Sequence, residues 1–223
     1  MHRLYTAACA AALLLAAPSF AQASAAPAPA TGSSAAKPQA PTSPATAPKP
    51  ATPSPMKLAA EKTQAALQKA PQARPEDVKT QDGLLTALYD SISGPAGKPR
   101  DWQRFRSLFY PGAQMASVQR PKPGGAPGVA PITPDDYATW GEEFFKTRGF
   151  FEKETHRQVA GYGDLINVLS AYEARETPEG PPVTRGINNV QLIFDGQRWW
   201  VLHISWTDEK SAGAPVPASF TRK

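Results

Sequence analysis

Cysteine and histidine are scarce in this sequence, which has one cysteine, Cys9, and three histidines among 223 residues. Because Cys9 lies in an apolar run at the start of the chain, we expect it to be removed with that run. The remaining chain then has no disulfide, no thiol nucleophile and no thiolate ligand for a metal. The sequence also has no G-x-S-x-G, H-E-x-x-H, G-x-G-x-x-G or phosphate-loop motif. We therefore assign no catalytic residue, no cofactor and no metal from motifs.

Long hydrophobic runs are also missing, apart from a short one at the start. Residues 1–23 combine a positive start at Arg3, an apolar run over residues 7–17 and small residues at a cleavage spacing. This pattern predicts a secretory signal peptide over residues 1–23, and the run is too short to span a bilayer. We expect a periplasmic or secreted protein whose mature form has no transmembrane segment.

Aromatic residues are absent from residues 24–55, where nine of 32 residues are proline. A segment of this composition cannot bury enough apolar surface to offset the entropy of ordering it. We predict a disordered Pro/Ala-rich linker over residues 24–75, with a possible short helix at 56–70. Residues 210–223 are predicted to form a disordered C-terminal tail.

The net charge of +5 is unevenly distributed. Residues 24–75 carry six Lys and Arg against one Asp or Glu, whereas residues 76–223 carry 17 against 18. Phosphate binding needs a clustered positive face, so the near-neutral folded part predicts no nucleic-acid partner. The basic linker is either a solvated spacer or a segment that contacts anionic envelope polymers or lipid.

Residues 76–209 have the periodicities of a folded α+β domain. Helical spacing recurs at residues 84–92, a second short helix is predicted to start at Asp101, and Thr133-Pro134-Asp135-Asp136 marks a third helix start. A brief strand is predicted near residues 114–118, and residues 120–131 are predicted to form a Pro/Gly loop. A period of two then predicts four antiparallel strands, at residues 150–159, 165–176, 185–195 and 198–208.

Three segments carry a family resemblance: "DWQRFRSLFYPGAQM", "GFFEKETHRQVAGYGDLINVLSAYEAR" and "RGINNVQLIFDGQRWWVLHISWTDE". In this order and spacing they resemble the nuclear transport factor 2-like (NTF2-like) superfamily, which includes ketosteroid isomerases and polyketide cyclases. They are most similar to an exported bacterial branch of unknown function. The resemblance implies a cone-shaped α+β fold over residues 76–209, with three N-terminal helices packed on a curved antiparallel sheet. It also implies a conical cavity and a homodimer formed through the outer sheet face, but no particular reaction.

The last predicted strand contains three of the five tryptophans, in "DGQRWWVLHISW". Because strand residues alternate between faces, Trp200, Ile204 and Trp206 are predicted to share the core or cavity face. Trp199 and His203 are predicted on the opposite face, where a second copy could bind.

Polar side chains suggest two clusters. In "EKETHR", strand alternation predicts that the side chains of Glu152, Glu154 and His156 lie on the same face. Together they could bind a metal, form an acid/base pair or form a solvated strand face. On the next strands, charged side chains either pair across strands or orient an anionic or carbonyl ligand. The candidate cavity and polar cluster is Tyr110, Glu154, His156, Arg157, Tyr172, Glu173, Arg175, Arg185, Trp200 and Trp206.

Three functions remain open from the sequence. The first is a non-catalytic exported domain that binds a small apolar or amphipathic ligand or supports a homodimer. The second is an isomerase, cyclase or hydratase-like enzyme with His156 or Glu154 as base and Tyr172 as hydrogen-bond donor. The third is an envelope-interaction protein that acts through its Pro-rich segment.

Overall fold

The structure, a computed structural model, describes residues 52–122 and 124–221. The predicted signal peptide and the linker up to residue 51 lie outside the described residues. The helices are α1 (Pro55–Leu67), α2 (Pro75–Val78), α3 (Gln81–Ile92), α4 (Trp102–Ser107), α5 (Pro134–Phe144) and α6 (Glu209–Ala212). The strands are β1 (Phe109–Gln119), β2 (Gly128–Ile132), β3 (Phe151–Tyr162), β4 (Leu165–Arg175), β5 (Thr184–Phe194) and β6 (Trp199–Asp208), and a 3-10 turn covers Ala218–Phe220.

The strands form one curved six-stranded sheet in the order β2-β1-β6-β5-β4-β3. The predicted α+β class, with helices packed on a curved sheet, is confirmed. Two details differ from the sequence-based expectation. Strand β2 lies in the segment that was predicted as a loop, and β1 runs parallel to β6 whereas every other neighbouring pair is antiparallel. β1 and β6 lie far apart in the chain, and pairing between such strands leaves no local pattern in the sequence.

The hydrophobic core lies between the helices and the inner face of the sheet. Leu84, Leu85 and Leu88 of α3 are buried against Val190 and other inner residues of β4 to β6. Helices α4 and α5 approach closely because Gly141 has no side chain: a Cβ atom there would lie 2.5 Å from Cη2 of Trp102. These contacts fix the helices that form one wall of the cavity described below.

The start of α5 confirms the predicted capping box. The Thr133 hydroxyl accepts a hydrogen bond from the Asp136 amide at 3.1 Å, and the Asp136 carboxylate accepts one from the Thr133 amide at 2.8 Å. The helix ends at Phe144. Its first two turns carry Tyr137 and Trp140 toward the sheet.

A β-bulge in β3 reverses the predicted orientation of two polar side chains. Glu154 pairs with Tyr172 and His156 pairs with Ala171, so Thr155 is an extra residue without its own partner. Beyond the bulge, Arg157 is opposite the inward-facing Ser170. The prediction that His156 shares a face with Glu154 is therefore wrong: His156 lies on the outer face of the sheet and Arg157 on the inner face.

A second bulge, at Leu202 of β6, reverses the predicted faces of two tryptophans. Val201 pairs with Leu192 and His203 pairs with Gln191, which leaves Leu202 as the extra residue. Trp199 consequently packs against the core with Val201, whereas Trp200 lies outside the core cluster. The prediction that Trp200 shares the core face with Ile204 and Trp206 is wrong for this reason.

The C-terminal segment is ordered as far as Thr221, so the predicted disorder from residue 210 is wrong for the described residues. After α6, the Val216 amide donates a hydrogen bond to the Glu209 carboxylate at 3.0 Å. Phe220 is buried, and its ring meets that of His156 edge to face with centroids 6.1 Å apart. The segment thus covers part of the outer face of β3.

Candidate active site

A cavity of about 480 Å³ lies between helices α3, α4 and α5 and the inner face of the sheet. This volume is within the range of small-molecule binding sites. Apolar and aromatic side chains form most of its wall: Leu88, Ile92, Phe105, Met115, Ile132, Tyr137, Trp140, Phe150, Tyr172, Ile204 and Trp206. The polar lining residues are Tyr89, Ser117, Gln119, Asp136, Glu152, Thr184, Asn188 and Asp208.

Glu152 is a carboxyl group of the cavity wall whose pKa lies near neutrality. It lies near the start of β3, three residues before the bulge, and its side chain is half-buried. Burial raises the pKa of Glu152 to about 7, and a hydrogen bond from Asn188 partly opposes this rise. The carboxyl can therefore exchange a proton near neutral pH, as a general acid or base must.

A chain of hydrogen bonds runs from Glu152 through the core. The Asn188 amide group donates to Glu152 Oε1 and to Tyr89 Oη, both at 3.1 Å. Tyr89 Oη lies 2.7 Å from Ser170 Oγ, and the Ser170 hydroxyl donates its proton to Glu154 Oε2. Because Ser170 has only one proton, Tyr89 must be the donor in the bond between them.

The chain ends in ion pairs near the surface. Arg157 donates to Glu154 and lies 2.6 Å from the exposed carboxylate of Asp82 on α3. Every hydrogen bond from Asn188 to Glu154 then has a determined donor and acceptor. The chain therefore holds the Asn188 amide, and with it the Glu152 carboxyl, in one orientation.

Two tyrosine hydroxyls in the cavity, those of Tyr137 and Tyr172, have no hydrogen-bond partner among the described residues. Burial, and next the charge of Glu152, raises the pKa of both phenols above the usual range, so both remain protonated donors at neutral pH. Gly186 provides the space for Tyr172: a Cβ atom there would lie 2.7 Å from Tyr172 Oη. Ser117 Oγ is also buried without a partner in the described part of the chain.

Two of the sequence-predicted candidates, Tyr172 and Trp206, line the cavity. Glu154 and Arg157 lie behind the wall, in the hydrogen-bonded chain. His156 lies outside the cavity, under the C-terminal segment.

The remaining charged candidates form an ion-pair cluster on the outer face. Glu173 lies 3.3 Å from Lys153, pairs with Arg175 on its own strand, and lies 3.8 Å from Arg185 on the next one. This is the cross-strand pairing that the sequence allowed as one alternative.

Tyr110 of β1 and Trp200 of β6 pack beside the β5–β6 turn rather than in the cavity. Trp200 Nε1 donates to Asp195 at 2.6 Å, and the Arg198 guanidinium lies 3.5 Å from the centre of the Trp200 ring. Tyr110 meets the same ring edge to face. These contacts, together with the Asp195 carboxylate that accepts the Gln197 amide, stabilise the turn.

Sequence reasoning did not identify Tyr89, Asn188 and Gly186 as parts of the site. Each leaves a faint signal: Tyr89 is a polar group on the buried face of α3, Asn188 is an amide on the inner face of β5, and Gly186 interrupts a strand. They lie on different elements, so only the folded chain brings them together around Glu152.

Within residues 52–122 and 124–221, no group of three or more His, Cys, Asp and Glu side chains is placed to hold a metal ion. None of the helices in those residues is long and apolar enough to cross a membrane.

No protein-family model matches this sequence, and no curated protein is significantly similar to it. Among solved structures, the chain is similar to an NTF2-like protein of unknown function from Silicibacter pomeroyi, with 12% identity, 67% of this chain and 98% of that chain covered, and a TM-score of 0.39.

An NTF2-like protein of unknown function from Shewanella baltica has 14% identity, with 58% of this chain and 96% of that chain covered and a TM-score of 0.37. A hexachlorocyclohexane dehydrochlorinase from Novosphingobium barchaimii has 12% identity, with 68% of this chain and 90% of that chain covered and a TM-score of 0.41.

Proposed function

We propose that this protein is an exported NTF2-like domain whose cavity binds a small amphipathic molecule and transfers a proton on it. Glu152 is the general base and Tyr172 the hydrogen-bond donor. The observation that carries this proposal is a carboxyl group with a pKa of about 7, in a mainly apolar cavity that also contains an unpartnered tyrosine hydroxyl.

The chemistry that these groups support is the removal of a proton from a carbon next to a carbonyl. Glu152 takes the proton, and the electron pair of the C–H bond moves to the carbonyl oxygen to form an enolate. The Tyr172 hydroxyl donates a hydrogen bond to that oxygen as its negative charge develops. Protonated Glu152 can then return the proton to a different carbon, which completes an isomerisation with all atoms balanced.

The hydrogen-bonded chain supports this role of Glu152 without taking part in the reaction. Asn188 orients the carboxyl, and Tyr89, Ser170 and Glu154 hold Asn188. This arrangement differs from the pair considered from the sequence, because Glu154 is already bonded to Ser170 and Arg157 while His156 lies on the outer face.

A second candidate function is binding without turnover, which the largely apolar wall of the cavity favours. Both candidate functions use the same cavity. They differ in whether the Glu152 carboxyl is needed for turnover as well as for ligand binding.

The deciding experiment uses a β,γ-unsaturated cyclohexenone, whose conversion to the conjugated enone is followed by ultraviolet absorbance. We expect the wild-type protein to accelerate this conversion, with kcat/KM rising with pH through about 7 as Glu152 loses its proton. Glu152→Gln should abolish the acceleration. Glu142→Gln, an exposed site on α5 outside this cavity, is the matched control.

Unchanged turnover in Glu152→Gln would exclude Glu152 as the base. Binding of the ketone by both variants with no conversion by either would favour the binding function instead.

Export and homodimer formation are further parts of the proposal. The signal-peptide pattern of residues 1–23 supports export, and cell fractionation with and without those residues tests it. The resemblance supports a homodimer, and sedimentation velocity of the full mature chain over a range of concentrations tests it.

A further inference from the structure

We infer that the cavity selects a positively charged amphipathic molecule, with an ammonium group held near Asp136 and Asp208 and an apolar part against the inner wall. The inference uses the cavity of the proposed function but does not depend on catalysis there.

The first observation is the charge of the cavity wall. Within residues 52–122 and 124–221, three carboxyl groups line it, those of Asp136, Glu152 and Asp208, and no lysine, arginine or histidine does. None of the three forms an ion pair with another described residue, whereas Asp135, beside Asp136 but outside the cavity, pairs with Arg106. The described part of the chain therefore supplies no cation in contact with these carboxyl groups.

The two aspartates are held in place by backbone donors. Asp136 is exposed and accepts hydrogen bonds from Thr133, which lower the pKa of its carboxyl and keep it ionised. Asp208 is half-buried and accepts the Ser211 amide at 2.6 Å as the cap of α6. Each carboxylate is thus held in a defined position.

The second observation is the aromatic surface beside Asp136. The Tyr137 ring contacts that of Trp140, with centroids 5.4 Å apart, and meets that of Trp206 edge to face at 6.2 Å. Half of the Trp140 surface is exposed. The negative faces of such rings attract organic cations, and ammonium groups bind well where rings and carboxylates occur together.

The third observation is a buried polar group in the wall that the described residues leave without a partner. Ser117 is 8% exposed, lines the cavity, and its hydroxyl has no hydrogen-bond partner among those residues. Buried polar groups are rarely left unsatisfied, so this hydroxyl points to a ligand. The three carboxyl groups of the cavity would repel an anionic ligand, and a neutral ligand would form no ion pair with them.

The test compares three probes with the same eight-carbon tail: octyltrimethylammonium, octanol and octyl sulfate, each below its micelle concentration. Binding to the full mature chain is measured by tryptophan fluorescence and by calorimetry. We expect the ammonium probe to bind roughly tenfold more tightly than octanol, because only the ammonium group is attracted by the carboxylates of Asp136 and Asp208. Octyl sulfate should bind most weakly, and added salt should weaken only the ammonium probe.

The matched variants are Asp136→Asn with Asp208→Asn, against Asp164→Asn in the β3–β4 turn. Asparagine can still accept the capping hydrogen bonds, so the fold should persist. The double variant should bind the ammonium probe and octanol equally, while Asp164→Asn should keep the preference. The wild-type comparison of the three probes remains decisive if the double variant does not fold.

Equal affinity for the ammonium probe and octanol, or tighter binding of the sulfate, would overturn the inference. These readouts are independent of turnover. A preference for the cation with unchanged turnover in Glu152→Gln would reject the proposed catalysis alone. Loss of turnover in that variant without a cation preference would reject this inference alone.

Discussion

At the scale of single residues, the burial of the Glu152 carboxyl lowers the stability of the fold and also raises the pKa of this group into the range that proton transfer at neutral pH requires. Its pKa is about 7 in the folded protein, against an ordinary value of 4.5. Between these values the folded state binds more protons than the unfolded state, so the free energy of unfolding falls as pH rises. Above about pH 7 the cost is complete, because both states are then ionised.

Replacing Glu152 by glutamine should therefore stabilise the protein in a pH-dependent manner. At pH 8 we expect a free energy of unfolding higher by about 1–3 kcal/mol than that of the wild type, and at pH 4 almost no difference. Urea denaturation at the two pH values measures this, with Glu142→Gln as the control. An equal stability change at both pH values would show that the Glu152 carboxyl is not destabilised by its burial.

At the scale of elements, the β-bulges decide which side chains reach the interior. One extra residue shifts the alternation by one, so that the residues before and after it no longer follow a single alternation. Thr155 turns Arg157 toward Glu154 and His156 away from it, and Leu202 turns Trp199 inward and Trp200 outward. Bulges leave little local trace, which explains why strict alternation predicted the wrong faces for these residues.

The β3 bulge predicts unequal effects for two neighbouring substitutions. Arg157→Ala leaves the largely buried Glu154 carboxylate without its cation and should lower the free energy of unfolding by about 1–3 kcal/mol. His156→Ala removes only an edge contact with Phe220 and should cost about 1 kcal/mol or less. Chemical denaturation of both variants provides the comparison. A larger loss for His156→Ala would contradict the assigned faces.

At the scale of the whole molecule, the C-terminal segment lies on the sheet face through which the resemblance predicts a homodimer. The 3-10 turn contacts β3 and α6 contacts β6, and Phe220 is buried there. Apolar outer-face residues such as Ile187 are already half-buried within one chain. The segment and a second copy would therefore compete for part of the same surface.

Removing residues 214–223 should expose this face and increase self-association. Sedimentation velocity over a range of concentrations measures the change, and a chain lacking only residues 222–223 is the control. We expect the longer truncation to shift the protein toward dimers or larger species, because exposed apolar sheet surface favours association. Dissociation of an existing dimer would instead show that the segment is part of the interface.

The sequence by itself determined the features that depend on neighbouring residues. The α+β class, the start of α5 at its capping box and the positions of β3 to β6 follow from spacing and caps, which act within a few residues. The tertiary structure decided which side chains of β3 and β6 face inward on the two sides of each bulge, because a bulge shifts the alternation by one residue. It also decided the partners of Glu152, since Tyr89, Ser170 and Asn188 lie on three different elements, and no local pattern records which distant elements will pack together.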